Sequence, residues 1–362
     1  DQYGDRWIEP GFYWSNGPYV LTEWMHDDHI VLEKNPYWWG ADEVQIERIY
    51  GLMVADASTT FAMYEANELD VTSPALEEMD RLKIDPLLNK ELYIASRDCT
   101  YYYGFTTNKP PLDNVLVRKA LSAAIDRQGL IDNVTKGGEL PANTFASATI
   151  FGNAAGDPDI APWALDYELG KEKAQEWLAE AGYPDGEGFP TITLMHNTSE
   201  KHARIAEAIA AMWKDVLNIE VTIEDWKWLV YLKTLQKETP LEEMPHVWRL
   251  TGCADYADEN NWVHEIFHAE QGLNWPRATR SEFEEFTEAA QIETDPEKRK
   301  ALYKQAEKIL CEEEARMAPI FYYTTVSLTK PWVTYRTYGE MGGTSFFQWK
   351  LDWEAKKAAS GM

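Results

Sequence analysis

The stretch CTYYYGFTTNKPPLDNVLVRKALSAAIDR, residues 99–127, decides how the chain is read. Its opening run of aromatics suits an extended strand, and Pro110 and Pro111 break that strand with a turn. Beyond the break, Val117, Leu121 and Ile125 recur at the spacing that lines one face of a helix. Strand, turn and amphipathic helix in this order place the chain among α/β folds.

The same alternation extends outward. Upstream, YVLTEW, HIVLEKN and IERIYGLMV read as strands, ASTTFAMYEANELD reads as a helix capped by Asp56 or Ser58, and NELDV returns to strand. Downstream, residues 137–165 are rich in Gly, Pro, Ala and Asn and predict a long irregular excursion. Then PTITLMHN, EKHARIAEAIAAMWKDVL and NIEVTIEDW give strand, helix and strand, a βαβ unit that predicts a mostly parallel sheet. A helical pair over roughly 281–316 precedes the strand APIFYYTTVSLT, and VSLTKPWVTYRT and TSFFQWKL are again strand-like.

The 362 residues suggest about two domains at ~150 residues each. A net charge of −27, from 61 acids against 34 bases, repels phosphate backbones and anionic membranes, so nucleic acid is not an expected partner. Runs such as IAEAIAAMW and MAPIFYY fall short of the ~18 apolar residues of a membrane span. A secretory leader is expected to have been removed or to lie upstream of Asp1. Cys99, Cys253 and Cys311 are too far apart for a CxxC motif, and Cys311 falls on a helical pattern as a packed residue. For Cys99 and Cys253 the residues alone leave both a disulfide, in an oxidising compartment, and free thiols open.

One string carries an enzymatic reading. HEIFH, residues 264–268, sets His264 and His268 four residues apart, as a zinc hydrolase would, with Glu265 as general base. A third ligand would come from the carboxylates of SEFEEFTEAA, none of which is distinguished. The competing reading is an amphipathic turn with Trp262, Ile266 and Phe267 inward and the histidines outward. Nucleophile-elbow, P-loop and dinucleotide fingerprints do not occur.

Several further strings stand in a fixed order: NGPYVLTEW, IVLEKNPYWWG, FAMYEANELDV, the 99–127 block, EAGYP, NTSEKHARIAEAIAAMWK, EDWKW, CADY and APIFYYTTVSLTKPWV. Together they resemble the extracellular solute-binding proteins of ABC transporters, in the peptide and nickel class, and most of all the oligopeptide-binding proteins. The resemblance implies a two-lobed, type II periplasmic-binding-protein fold whose amino-terminal part is absent. Residues 12–98 and 325–362 would be lobe one, 99–324 lobe three, and 1–11 a remnant of lobe two, with hinge strands crossing near Cys99 and Tyr323. It implies a secreted, periplasmic or extracellular monomer without cofactor or catalysis, which captures an extended peptide between its lobes and delivers it to permease subunits.

Site residues follow from the same resemblance. Asp255 of CADY would meet the ligand's ammonium, Trp226 would wall a pocket, and Gly252 and Cys253 would offer backbone groups. Arg249 and His202 would meet the carboxylate end, and Tyr102 and Tyr323 would line the cleft. Cys99 and Cys253 would be disulfide-bonded, leaving Cys311 free. At Gly252 the family commonly has an aromatic residue, so its absence predicts an enlarged pocket.

Overall fold

The computed structural model describes residues 3–336 and 345–361. The chain divides into two units, Asp1–Ala95 with Thr325–Met362, and Ser96–Thr324. In the first unit, strands β1 (Tyr19–Met25), β2 (His29–Lys34) and β3 (Arg48–Leu52) form an antiparallel meander. Asp27 takes a positive φ in the β1–β2 turn, a backbone shape that aspartate tolerates better than most residues. The helix Ala57–Glu65 starts where the Asp56 carboxylate accepts the Thr59 amide at 2.6 Å. It leads to the short strand β4 (Val71–Thr72), and Phe61, Tyr64, Met79, Leu82 and Leu328 make the core beside it.

Strand β5 (Leu92–Phe105) continues from the first unit into the second. There follow β6 (Leu140–Pro141), β7 (Ile192–Asn197), β8 (Val221–Trp226), β9 (Val247–Cys253) and β10 (Met317–Thr329), whose end returns to the first unit and pairs with β4. The short strands β11 (Val333–Tyr335) and β12 (Lys350–Leu351) pair with each other. The expected terminal strands reach Thr337 and Thr344, which lie outside the described residues.

In the second unit the spatial order is β10, β5, β9, β7, β8, with β6 along β10. The predicted βαβ unit forms as β7, the helix Glu200–Leu217 and β8, with β7 and β8 parallel. That helix buries Ile205, Ile209, Trp213 and Val216 at helical spacing, each large side chain contributing about 1.5–3 kcal/mol. The Trp213 indole donates to the Leu121 carbonyl at 2.7 Å, tying the helix to Val115–Ala123. The sheet is more mixed than expected, because β9 runs antiparallel to β5 and parallel to β7. Helical crossovers go with the parallel pairs of β7, with β8 and with β9, whereas β5 meets β9 without that constraint and antiparallel.

Side-chain parity splits this sheet into two faces. Tyr101, Tyr103, Phe105 and Val247 enter one aromatic and aliphatic core. Tyr102, Trp248 and Leu250 enter the other, with Phe145, Trp262 and Phe267.

Candidate functional site

Register brings the two distant cysteines together. Cys99 on β5 faces Cys253 on β9 as a strand partner, and the two form a disulfide across 154 residues of sequence. Cys311 is buried and free. The bridge fixes the end of β9, from which Ala254 and Asp255 emerge.

The edge of β9 is half used. Its pairing with β7 covers only Val247 and Trp248, whereas its pairing with β5 runs from Val247 to Cys253. Among the described residues no strand pairs the other edge of Leu250–Cys253. The Arg249 carbonyl on this strand accepts the buried Tyr231 hydroxyl. Two residues past the strand, Asp255 is exposed. Its amide donates to Asn261 Oδ1 at 2.8 Å, and its carboxylate accepts Asn261 Nδ2 at 3.5 Å.

Arg249 and Thr251 share one face of β9 and gather the polar cluster of the unit. The guanidinium donates to Asn197 Oδ1 at 3.1 Å, to the Tyr323 hydroxyl at 2.6 Å and to the Thr251 hydroxyl, and lies 4.3 Å from the Tyr101 ring centroid. His202 joins through Nδ1, 3.3 Å from the Tyr101 hydroxyl. Burial, with Arg249 and Lys201 beside it, pushes the His202 pKa down to about 2, so the ring is neutral at physiological pH. Within the cluster Arg249 carries the charge and His202 adds a hydrogen-bonding group. Lys201 stands over the Phe321 and Tyr323 rings but is paired with the buried Glu139 at 3.1 Å.

Trp226 is 42% exposed at the end of β8, and its indole donates to Glu224 Oε2 at 3.0 Å. It rims a groove of about 480 Å³ between β7, β8 and the segment 239–245, with Lys109, Met195, Val230 and Lys233. Arg249, Tyr323, His202 and Asp255 do not line this groove.

Two further expectations are corrected by parity. Tyr102 is fully buried, edge-to-face with Phe145, Trp248 and Phe267, on the opposite face of the sheet from Arg249. Burial raises its pKa well above the usual tyrosine value, and it reaches no surface that a ligand could touch. Gly252 faces the same dry layer. A Cβ there would stand 2.3 Å from Phe145 Cζ, so the space left by the missing aromatic side chain is filled by Phe145 and no pocket opens.

HEIFH is not a metal site. Asn260–His264 is a π-helical turn, the α-helix after it spans only Glu265–Phe267, and His268 is already extended. Both histidines point inward, at 3% and 0% exposure, against the expectation that they face outward. His264 pairs through Nδ1 with Thr287 at 3.1 Å and through Nε2 with Gln271 at 3.2 Å. His268 Nε2 meets Glu288 at 3.1 Å, while Nδ1 accepts the Glu270 and Gln271 amides. Glu265 accepts from Tyr256, Asn260 and Asn261. Every group the hydrolase would need is thus spent on holding the loop. Among the described residues no cluster of three or more His, Cys, Asp or Glu could hold a metal ion. The sequence reading missed Thr251, Asn197, Tyr101 and Phe145; of these, Thr251 was recoverable, since it stands two residues from Arg249 on the same strand face.

Comparison with known proteins converges on one group. Residues 2–274 match the family model described as bacterial extracellular solute-binding proteins, family 5 Middle. The chain is 30% identical over 335 residues to the periplasmic oligopeptide-binding protein OppA of Escherichia coli, covering 92% of this chain and 60% of that protein. It therefore spans about 60% of the length of such curated relatives. The murein tripeptide binding protein MppA of Escherichia coli superposes with a TM-score of 0.86 at 28% identity, over 97% of this chain and 67% of that one. Haemophilus influenzae OppA in complex with RPPGFSPFR does so with a TM-score of 0.83, also at 28% identity and the same coverage. With the model matched over residues 2–274, the chain belongs to family 5 of the bacterial extracellular solute-binding proteins.

Proposed function

We propose that the protein is the substrate-binding component of an ABC importer, working as a monomer in the periplasm or outside the cell. It captures extended oligopeptides and hands them to permease subunits. The observation that carries this reading is the open edge of β9 at Leu250–Cys253, ended by the exposed carboxylate of Asp255. An extended peptide adds to such an edge through main-chain hydrogen bonds, which hold it without regard to its side chains. Asp255 supplies the acceptor for a ligand ammonium, and Arg249 the cation for its carboxylate end, with the neutral His202 and Tyr323 as hydrogen-bonding neighbours. Trp226, exposed at the end of β8 and paired with Asn197 of β7, would supply an aromatic wall one strand further out. In the proposed division, residues 99–324 are the lobe that carries this surface, and 12–98 with 325–362 belong to the opposite lobe. The peptide complex of the Haemophilus influenzae relative supports the ligand class. Among the described residues no helix is long and apolar enough to cross a membrane, in keeping with a protein that reaches the membrane through its transporter.

Asp255 lies six positions beyond Arg249, at most about 20 Å at 3.3 Å per residue, which suits ligands of about three to six residues. Calorimetric titration with free peptides of two to eight residues tests this. Affinity is expected to climb to a length of about four or five and then level off; affinity that is independent of length, or greatest for dipeptides, contradicts it.

A further inference from the structure

The π-helical turn Asn260–His264 begins on an acid that the binding reading does not use. Glu259 is fully buried, and neither of its carboxylate oxygens has a hydrogen-bond partner. Its backbone is fixed: the amide donates to the Phe151 carbonyl at 3.0 Å, and Phe151 bridges to Asp258. A Cβ on Gly152 would stand 2.8 Å from Glu259 Cγ and 2.9 Å from the Tyr303 ring, so the carboxyl is packed in without slack. Gly152 takes a φ of +98°, a backbone position where glycine alone is at ease.

A second acid whose charge acts on it is Glu307, also fully buried, on the helix Pro296–Lys308. It differs from Glu259 in being provided for: its oxygens accept the Phe145 and Ala146 amides at 2.8 and 2.7 Å, and the Cys311 thiol at 3.3 Å. The other groups facing the pair add little positive charge. Arg299 is committed to Asp258 in a two-point ion pair at 2.6 and 2.8 Å and donates to the Tyr303 hydroxyl. Tyr303, Tyr322 and Cys311 are held protonated by burial.

With Arg299 paired to Asp258, two buried carboxyls, Glu259 and Glu307, cannot both be ionised in a dry interior without large cost. The acid with no donor is the one that keeps its proton, because donors stabilise the charged form of the other. We propose that Glu259 is a neutral carboxylic acid at physiological pH and acts with Glu307 as a proton-held latch: its ionisation frees the segment 254–261, which carries Asp255, from the helix Pro296–Lys308. Burial, then the charges of Glu307 and Asp258, raise the Glu259 pKa, and burial lifts that of Glu307 to about 7 against its three donors. Both pKa values are raised on folding, so the folded chain holds protons that the unfolded chain has released. The stability they contribute is full below the ordinary glutamate value of about 4.3 and is lost as pH rises through the folded values.

Infrared spectroscopy of the ligand-free protein, combined with hydrogen exchange, tests the latch. The protein should show the carbonyl stretch of protonated carboxyls that persists after solvent exchange, and above the value of about 7 at Glu307 the component that remains should be removed by Glu259→Gln and kept by Glu307→Gln. As pH rises, exchange at the Phe151 and Glu259 amides, corrected for its intrinsic base catalysis, should accelerate by up to about tenfold per pH unit, and the Glu259→Gln variant should lose that dependence. Absence of the band in the wild-type protein at pH 7, or its loss in Glu307→Gln with retention in Glu259→Gln, overturns the proposal. The wild-type pH titration of the band decides the matter even where a variant does not fold.

Discussion

The two faces of β9 are made by alternate residues of one heptapeptide, yet they are built on opposite principles. Trp248, Leu250 and Gly252 face a dry layer in which the Trp248 ring lies over Gly104 and Phe145 lies over Gly252. Arg249 and Thr251 face a hydrogen-bonded cluster with Asn197, Tyr323 and Tyr101. The first face fixes the height and register of the strand by volume. The second holds a charge at the strand's side by satisfying its donors. A strand that is locked from below and polar above, with an unpaired edge between, suits the backbone template proposed for the peptide.

The sharpest way to break this contrast is to empty the dry face. Phe145→Ala should cost about 3–5 kcal/mol in urea denaturation, since the ring fills volume that nothing else can reach. Gly252→Phe alone should also destabilise, through overpacking. The double variant should recover part of the loss, and full additivity of the two changes would show that the rings do not share one site.

Removing the bridge at the strand's end comes next. Replacing Cys99 and Cys253 together by Ser should cost about 2–5 kcal/mol, because the disulfide closes a loop of 154 residues' separation in the unfolded chain. Thiol titration in denaturant without reductant should find one reactive group, Cys311, and three would contradict the bridge.

On the polar face, Arg249→Leu should cost about 1–3 kcal/mol, the penalty of leaving Asn197, Thr251 and Tyr323 with unmet partners. Its effect on the affinity of peptides with a free carboxylate should exceed its effect on amidated ones. At neutral pH the smallest change is expected at His202, whose contribution appears only on acidification. Its folded pKa of about 2 lies below the ordinary 6.5, so the unfolded chain binds the extra proton between those values. The stability tied to neutral His202 is present above pH 6.5 and is lost as pH falls below it. His202→Gln should therefore flatten the fall in stability between pH 6.5 and 4, and an unchanged profile would mean that His202 is protonated in the fold.

Strand, helix and register were legible where period and chemistry agreed. The βαβ unit followed from alternation flanking a helical pattern, and the Asp56 cap formed as its residue type implied. Parity was also available in principle: Tyr102 and Gly252 belong to the phase opposite Arg249, and reading the strand in twos would have removed both from the ligand surface. What the sequence hid was long-range. Nothing near residue 252 says that Phe145, more than a hundred positions away, fills the place of its side chain. The HEIFH histidines face inward because Thr287, Gln271 and Glu288 meet them, and those partners come from a loop and a helix that spacing alone does not bring close.

The central claim is that Asp255, at the end of the open edge, receives the amino terminus of a peptide. Calorimetry of one pentapeptide, in free and N-acetylated forms, against the wild-type protein and Asp255→Asn tests it most directly. Removing one partner of a close charge pair costs about 2–5 kcal/mol, so both the acetyl group and the substitution should weaken binding by well over tenfold. The two losses should not add, since each removes the same contact. Equal affinity of the free and acetylated peptides for the wild-type protein would contradict the account.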